Sequence, residues 1–421
     1  MDFLAPLNQM TPRPVSLQGL QQNAIAFASR AGFPSRKDEG WRYTSVKAIT
    51  DGTFQAVSAE EALSHQALES LSHQLAEGCD RIVFVNGFLN RTLSTLENLP
   101  SEIKWSSQPD RILSRQREQF DNSFQALNVA YVQQGIWLQI PADFSLPRPL
   151  QIHFHIVGDA GPLMIHPRVV VEVGARSVAR ILESYSSQTG RHFSNSITQV
   201  VIGEGARILH VRSQQENLES LHLGETAYEL GASSELTSLV ISTGARLARH
   251  HLRLPLERMG IKARVLGLSV STGDQHLDHT TDIDHTVGGC DSEQIYKSLL
   301  DHQSRTVFNG RIYIRPQAQK ANSSQLNNNV LLSSRAEADS QPQLMIEADD
   351  VKAAHGSTVG HLNAEELFYL QSRGIPRRQA VPLLAFGFLA DLLETIDHDG
   401  MKSWLTQRLK ESFDRLNTEA L

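Results

Sequence analysis

The chain has 421 residues, with 39 lysines and arginines against 46 acids and a formal net charge of −7. A length of this order holds two or three structural units, and the acidic balance, with no run of five like charges, argues against nucleic acid as a main partner. Hydrophobic residues make up 40 % and mean hydropathy is −0.28, values of a folded chain rather than a disordered one; only two cysteines, Cys79 and Cys290, exclude a disulfide framework and fit a reduced, cytoplasmic setting.

The first residues, Met1-Asp2-Phe3-Leu4-Ala5-Pro6, lack a basic stretch followed by an apolar one, so no secretory leader is expected. From Ser16 to Arg30, Leu17, Leu20, Ile25 and Phe27 fit a short helix closed by Gly32 and Pro34. A second helical pattern runs from Ala59 to Ala76. The segment Arg81 to Gly87 is rich in β-branched residues and ends in Asn86-Gly87, which predicts a strand and a hairpin turn. Between Asp110 and Gln134 the spacing of Leu113, Phe120, Phe124, Leu127 and Tyr131 predicts one longer helix. Residues 1–135 therefore read as a mainly helical domain.

Residues 136–360 differ, because their apolar runs are short, alternating and bounded by glycine. A turn-and-strand phrase recurs at Gly174, Gly205, Gly231 and Gly244, at intervals of 31, 26 and 13 residues. Intervals near multiples of about 13 to 16 residues mark a β-solenoid, whose coils stack only on their neighbours. A sandwich or barrel is the alternative, since it also spaces strands by about 8 to 12 residues. Asn327-Asn328-Asn329 fits amide stacking at a solenoid turn.

Helical periodicity returns in residues 361–421. Asn363 with Glu365 and Glu366 makes a helix start, Gly374 a stop and Pro376 a second start. That second helix carries Leu383, Leu384, Phe388, Leu389, Leu392 and Leu393, more apolar surface than one narrow stripe, so one side should bury on the chain and another should face a partner. A last helix is expected over Met401–Asn417. The most apolar run, Ala380–Ala390, contains Pro382 and Gly387 and ends at Asp391, short of the roughly 18 residues of a membrane span.

Chemistry is sparse. There is no phosphate loop, no GxSxG elbow and no CxxC, so ATP hydrolysis and nucleophilic catalysis have no sequence support. His276, His279 and His285 cluster, but in a strand His279 and His285 lie roughly 20 Å apart, and one ion at about 2 Å from each imidazole cannot bridge them. Packed or hydrogen-bonded histidines are expected instead. The pairs Asp282/Asp284 and Asp349/Asp350 read as solvated turns at strand ends.

The stretch Glu347 to Gly360, with Asp349, Asp350, Lys352, His355 and Gly356, carries most content. Together with Phe308-Asn309-Gly310, Leu326 to Leu332 and Leu367 to Ile375 it resembles the SufB/SufD family of iron-sulfur cluster assembly proteins. Near the amino end, Pro34-Ser35-Arg36-Lys37-Asp38-Glu39-Gly40-Trp41-Arg42-Tyr43-Thr44 is similar to a phrase of the SufD branch. The resemblance implies a mainly β protein, with a right-handed parallel β-helix flanked by a mixed, helical amino-terminal region and a helical carboxy-terminal one. It implies a non-enzymatic subunit that pairs with SufB and carries the ATPase SufC on its carboxy-terminal helices; a homodimer is left open for the isolated chain. It also makes His355 a candidate iron or cluster ligand near the SufB contact, while Ala354 stands where many relatives have cysteine. Two distant cysteines cannot supply the roughly four ligands of a cluster, so no cofactor is expected on this chain alone. A transient iron-sulfur cluster at the SufB contact is implied, and a reduced flavin in the complex is left open. The competing readings are a SufB-like scaffold subunit and a β-helix polysaccharide lyase or hydrolase; for His355 the competing role is a ring bonded to a loop carbonyl.

Overall fold

The structure, a computed structural model, describes residues 14–57, 71, 74–116, 119–158, 161–188 and 190–416. The helical pattern over Ala59–Ala76 falls almost wholly outside them. Helix α1 (Val15–Ala31) buries Leu17, Ala24 and Ala28 and ends at Gly32, whose φ of 67° a side chain would resist. The single-turn helices α2 (Lys47–Thr50) and α3 (Pro109–Ile112) follow, and α4 (Ser123–Tyr131) packs against α1.

The one long helix expected over residues 110–134 is therefore two short ones. The Arg168 guanidinium takes the Ile112 carbonyl at 3.1 Å and Gln116 Oε1 at 2.6 Å, occupying an acceptor that a continuing helix would use. Asn122 then starts α4 afresh, its Oδ1 accepting from the Phe124 and Gln125 amides.

Among the described residues four short strands belong to this region: β1 (Gln55–Ala56), β2 (Asp80–Val85), β3 (Phe88–Asn90) and β4 (Lys104–Ser106). The predicted strand and turn are β2 and its hairpin to β3, with Asn86 and Gly87 both at positive φ. The solenoid begins with β5 (Ile136–Ile140) and β6 (Leu150–Ile156), a short β7 (Leu163–Ile165), β8 (Arg168–Val173) and β9 (Val178–Ser187). It continues through β10 (His192–Ile202), β11 (Arg207–Gln215), β12 (Leu221–Leu230), β13 (Glu235–Ser242), β14 (Leu247–Leu256) and β15 (Lys262–Ser271). It ends with β16 (His276–His285), β17 (Asp291–Leu300), β18 (Arg305–Ile314), β19 (Asn322–Leu331), β20 (Glu337–Ile346) and β21 (Lys352–His361).

Successive strands alternate between two parallel sheets, so the core is a β-solenoid of about eight turns. Leu247 lies beside His276 and His276 beside Arg305, so a full coil takes 29 residues and a strand with its corner about half of that. This is the physical origin of the glycine spacing. Gly174 and Gly231 sit at the same corner two coils apart, where a Cβ would meet the backbone of the preceding coil, and Gly244 sits at the opposite corner against Glu216.

Among the described residues, the three largest apolar clusters hold the molecule together. One fills the lumen, with Ile181, Leu254 and Ile312. A second joins the outer face of the β9–β19 sheet, through Leu182, Val211, Ile241 and Leu268, to the carboxy-terminal helices. These are α5 (Ala364–Ser372), α6 (Arg377–Leu393) and α7 (Asp399–Phe413), with Asn363 capping α5 and Pro376 preceding α6 as the sequence suggested. A third cluster seats α1 and α4 on the other sheet. Among the described residues no helix is long and apolar enough to cross a membrane.

Two local expectations change. Asn327, Asn328 and Asn329 lie within β19, not at a turn; Asn327 and Asn329 face the lumen, where Asn329 Nδ2 donates to Asn327 Oδ1 at 2.7 Å. Asp282 and Asp284 are likewise on the outer face of β16, not in a turn. There Asp282 accepts from His251 and Arg311 at 2.6 Å each and Asp284 binds Arg315. Burial would push the Asp282 carboxyl up, but those two partners outweigh it and hold it well below the usual carboxylate range.

Candidate functional site

The two ends of the solenoid differ. At the amino-terminal end β4 pairs antiparallel with β5, and the β2–β3 hairpin covers β6. At the other end, among the described residues, β20 and β21 are the last strands of their sheets, each ten residues long. Long strands with unpaired backbone groups are pairing templates, and a solenoid end without a cap exposes its core. Ile346 is 43 % exposed and Val359 51 %.

His355 lies on β21. Side chains alternate along a strand, and the bond from Ser357 Oγ to Ser340 Oγ across the lumen (2.7 Å) fixes the inward set as Ala353, His355, Ser357 and Val359. In register below His355 come Gln325, Gln294, Val265, Ser238 and His210 on successive coils. Gln325 is buried, donates to Gln294 Oε1 at 2.5 Å and leaves its own Oε1 without a partner. A Cβ at Gly310 would collide with the Gln325 amide, so that glycine makes room for it. The His355 ring is exposed and forms no hydrogen bond among the described residues; the histidine held by a carbonyl is His361, whose Nδ1 lies 2.9 Å from Leu331 O. His355 thus stands at the mouth of the lumen as an available imidazole, a borderline donor that suits iron.

Deeper in the lumen is a buried ionic cluster that the strand alternation did not reveal. Arg212 pairs with Glu183, lies 4.3 Å from the Tyr185 ring and contacts His222 Nε2 at 2.6 Å. Glu183 also accepts from Tyr185 and Thr198, and Glu216 sits between His222 and His192. Burial would raise the Glu183 carboxyl, but Arg212 and His210 prevail and hold it down to about 2. A Cβ at Gly224 would meet the Arg212 guanidinium, so the glycine makes space for the charge. The clustered histidines are hydrogen-bonded as expected: His276 to Thr44, His279 to Ser269 and His285 to Ser292. Burial lowers His279 and His285 to about 4. Among the described residues no group of three or more His, Cys, Asp or Glu is placed to hold a metal ion.

Both thiols are buried. Burial pushes Cys79 up to about 11 and raises Cys290, so neither is a thiolate near neutral pH. A groove of about 390 Å³ on the outer face of the β10–β14 region is lined by Arg115, Arg253, Glu225 and Glu229, and these charges pair with one another or with Asp121.

The carboxy-terminal helices are stapled to the solenoid by Lys297, which reaches Asp391 at 2.7 Å and the Phe388 carbonyl at 2.9 Å, and by the bidentate pair Arg180–Asp397. Of the six apolar residues singled out in α6, Leu389, Leu392 and Leu393 are buried in this contact, Leu384 and Phe388 are half-buried, and Leu383 is 54 % exposed. On α5, Phe368 is 72 % and Tyr369 56 % exposed. These two were missed because α5 is short and its exposed ring pair follows directly on the buried Leu367.

Comparison with known proteins agrees with this architecture. The SufBD core domain of the SUF system for FeS cluster assembly matches residues 155–388, and the SufBD amino-terminal region matches residues 13–152. An iron-sulfur cluster assembly SufBD family protein of Synechocystis is 31 % identical, over 92 % of this chain and 89 % of its own. The iron-sulfur cluster assembly protein SufD of Escherichia coli is 30 % identical, over 94 % and 92 %. A chloroplastic protein of Arabidopsis thaliana, ABCI7, is 27 % identical, over 90 % and 82 %. With both family regions present and a SufD homologue aligned along nearly its whole length, the chain belongs to the SufBD family of iron-sulfur cluster assembly proteins.

Proposed function

We propose that the chain works as a SufD-type subunit that pairs with a SufB-type subunit through β20 and β21, docks the ATPase SufC on α5 and α6, and presents His355 to iron or a nascent cluster at the junction. The observation that carries this is the end coil, whose outer edges no described strand pairs, with His355 facing its lumen. A strand added to each open edge satisfies the free backbone groups, and a second stack of coils covers Ile346 and Val359. The thiolates of a cluster then come from the partner, since both cysteines here are buried and protonated. The role is a non-enzymatic one of holding and orienting.

Two variants, each assembled with SufB-type and SufC subunits under anaerobic conditions, test this together. Val359→Lys places a charge on an exposed apolar position, so folding is retained while pairing weakens at least tenfold, or about 1.4 kcal/mol. His355→Ala pairs normally and lowers the iron and sulfide held per intact complex. Unchanged pairing by Val359→Lys contradicts the docking surface, and an unchanged iron content per complex removes His355 from the site.

A further inference from the structure

The segment Ser35–Thr44, which in the sequence served only as a family phrase, lies as a strap across the outer face of the β14–β20 sheet. Its fold is local at first: Asp38 Oδ2 accepts from the Ser35 amide at 2.7 Å and its hydroxyl at 3.1 Å, and a 3-10 turn over Glu39–Trp41 follows. It is then anchored on β14 and β16. The Arg249 guanidinium lies 4.1 Å from the Trp41 ring and donates to the Gly40 carbonyl at 2.7 Å. Arg249 pairs with Asp278, which also accepts from Thr44, and the Thr44 hydroxyl meets His276 Nε2 at 2.9 Å. Arg249, Asp278 and Thr44 are all buried. Such a desolvated, fully paired anchor fixes one geometry, because breaking it strands a buried charge.

What the anchor delivers is Tyr43. Its hydroxyl accepts from Gln341 Nε2 at 2.7 Å, and Gln341 is on the outer face of β20, the last strand of its sheet. Beside it Arg42 is exposed, with its guanidinium 5.8 Å from the Tyr43 ring, and it makes no ion pair among the described residues. The acids of β20 on the same face, Glu337 and Asp339, are already engaged by Arg305 at 3.6 and 2.6 Å. A strand added to β20 lies only about 4.8 Å beyond it, next to the strand that Tyr43 contacts.

We infer that the strap is part of the pairing surface: Tyr43 holds the outer face of β20 in place, and Arg42 receives a carboxylate on the partner strand that adds to that edge. This rests on the pairing proposed above and extends it from the two strand edges to the amino-terminal region. An edge strand clamped in advance loses less freedom on binding, and an exposed cation at the rim acts on encounter and orientation more than on total affinity.

The test measures the affinity of the full chain for the SufB-type subunit at low and high salt, with Arg42→Glu, Tyr43→Phe and Val359→Lys compared with the parent. Neither strap residue is buried, so thermal midpoints should stay unchanged. The inference expects Arg42→Glu to weaken pairing about tenfold at low salt with the loss shrinking at high salt, and Tyr43→Phe to weaken it about threefold at both. Binding within twofold of the parent for both strap variants, while Val359→Lys disrupts it, overturns the strap's role and leaves edge pairing standing. Undiminished binding by Val359→Lys overturns the edge pairing itself, and the strap's role with it.

Discussion

At the scale of single residues the least expected feature is charge inside the lumen. Strand β11 reads Ile208, Leu209, His210, Val211, Arg212, and alternation alone would turn Leu209 and Val211 inward. The reverse holds: those two lie under the carboxy-terminal helices, while His210 and Arg212 face the lumen. Both faces are buried, so pattern could not choose between them. Glu183→Gln leaves the Arg212 guanidinium buried and short of its counter-charge, an expected loss of about 3–5 kcal/mol in denaturant unfolding. Replacing Arg212 with methionine in the same chain should recover part of it. The same cluster sets an acid limit. Glu183 is depressed in the fold, so its contribution is complete above the ordinary carboxylate range and is lost as pH falls towards about 2. His279 and His285 are depressed too, so their contribution is complete above about pH 6.5 and is lost as pH falls through about 4.

At the scale of elements, the sequence revealed those whose cause is local. Asn86-Gly87 and Asn363 with its two following acids act within a few residues, and the hairpin and the α5 cap follow from them; the corner glycines act against the coil below but recur at its period, which made the coil spacing visible. The break between α3 and α4 depends on Arg168, some 50 residues on in the chain, so helical periodicity ran straight through it. The apolar excess in α6 was legible, but its division was not: Leu389, Leu392 and Leu393 meet sheet residues distant in sequence, and Leu383 with Phe368 and Tyr369 is what remains outside. That remainder is where SufC should dock. Leu383→Glu combined with Phe368→Glu touches no buried contact, so far-ultraviolet circular dichroism should be unchanged while affinity for SufC falls at least tenfold. Undiminished SufC binding would move the docking surface away from α5 and α6.

At the scale of the whole molecule, the described residues form a stack closed at one end and open at the other. Antiparallel strands finish the amino-terminal coil, helices cover one outer face, and the strap meets the outer face of the last described strand of the opposite sheet. His355 was legible only through family resemblance, because its place at the lumen mouth is set by the registers of β19 and β21. The central claim is that this open end is where a SufB-type subunit adds its strands. Backbone hydrogen exchange of the chain, alone and in the pair, tests it most directly. The account predicts strong new protection across residues 337–346 and 352–361, the two edge strands, with the already paired β5 and β6 unchanged. Complex formation that leaves both edge strands exchanging at their free rates would contradict it.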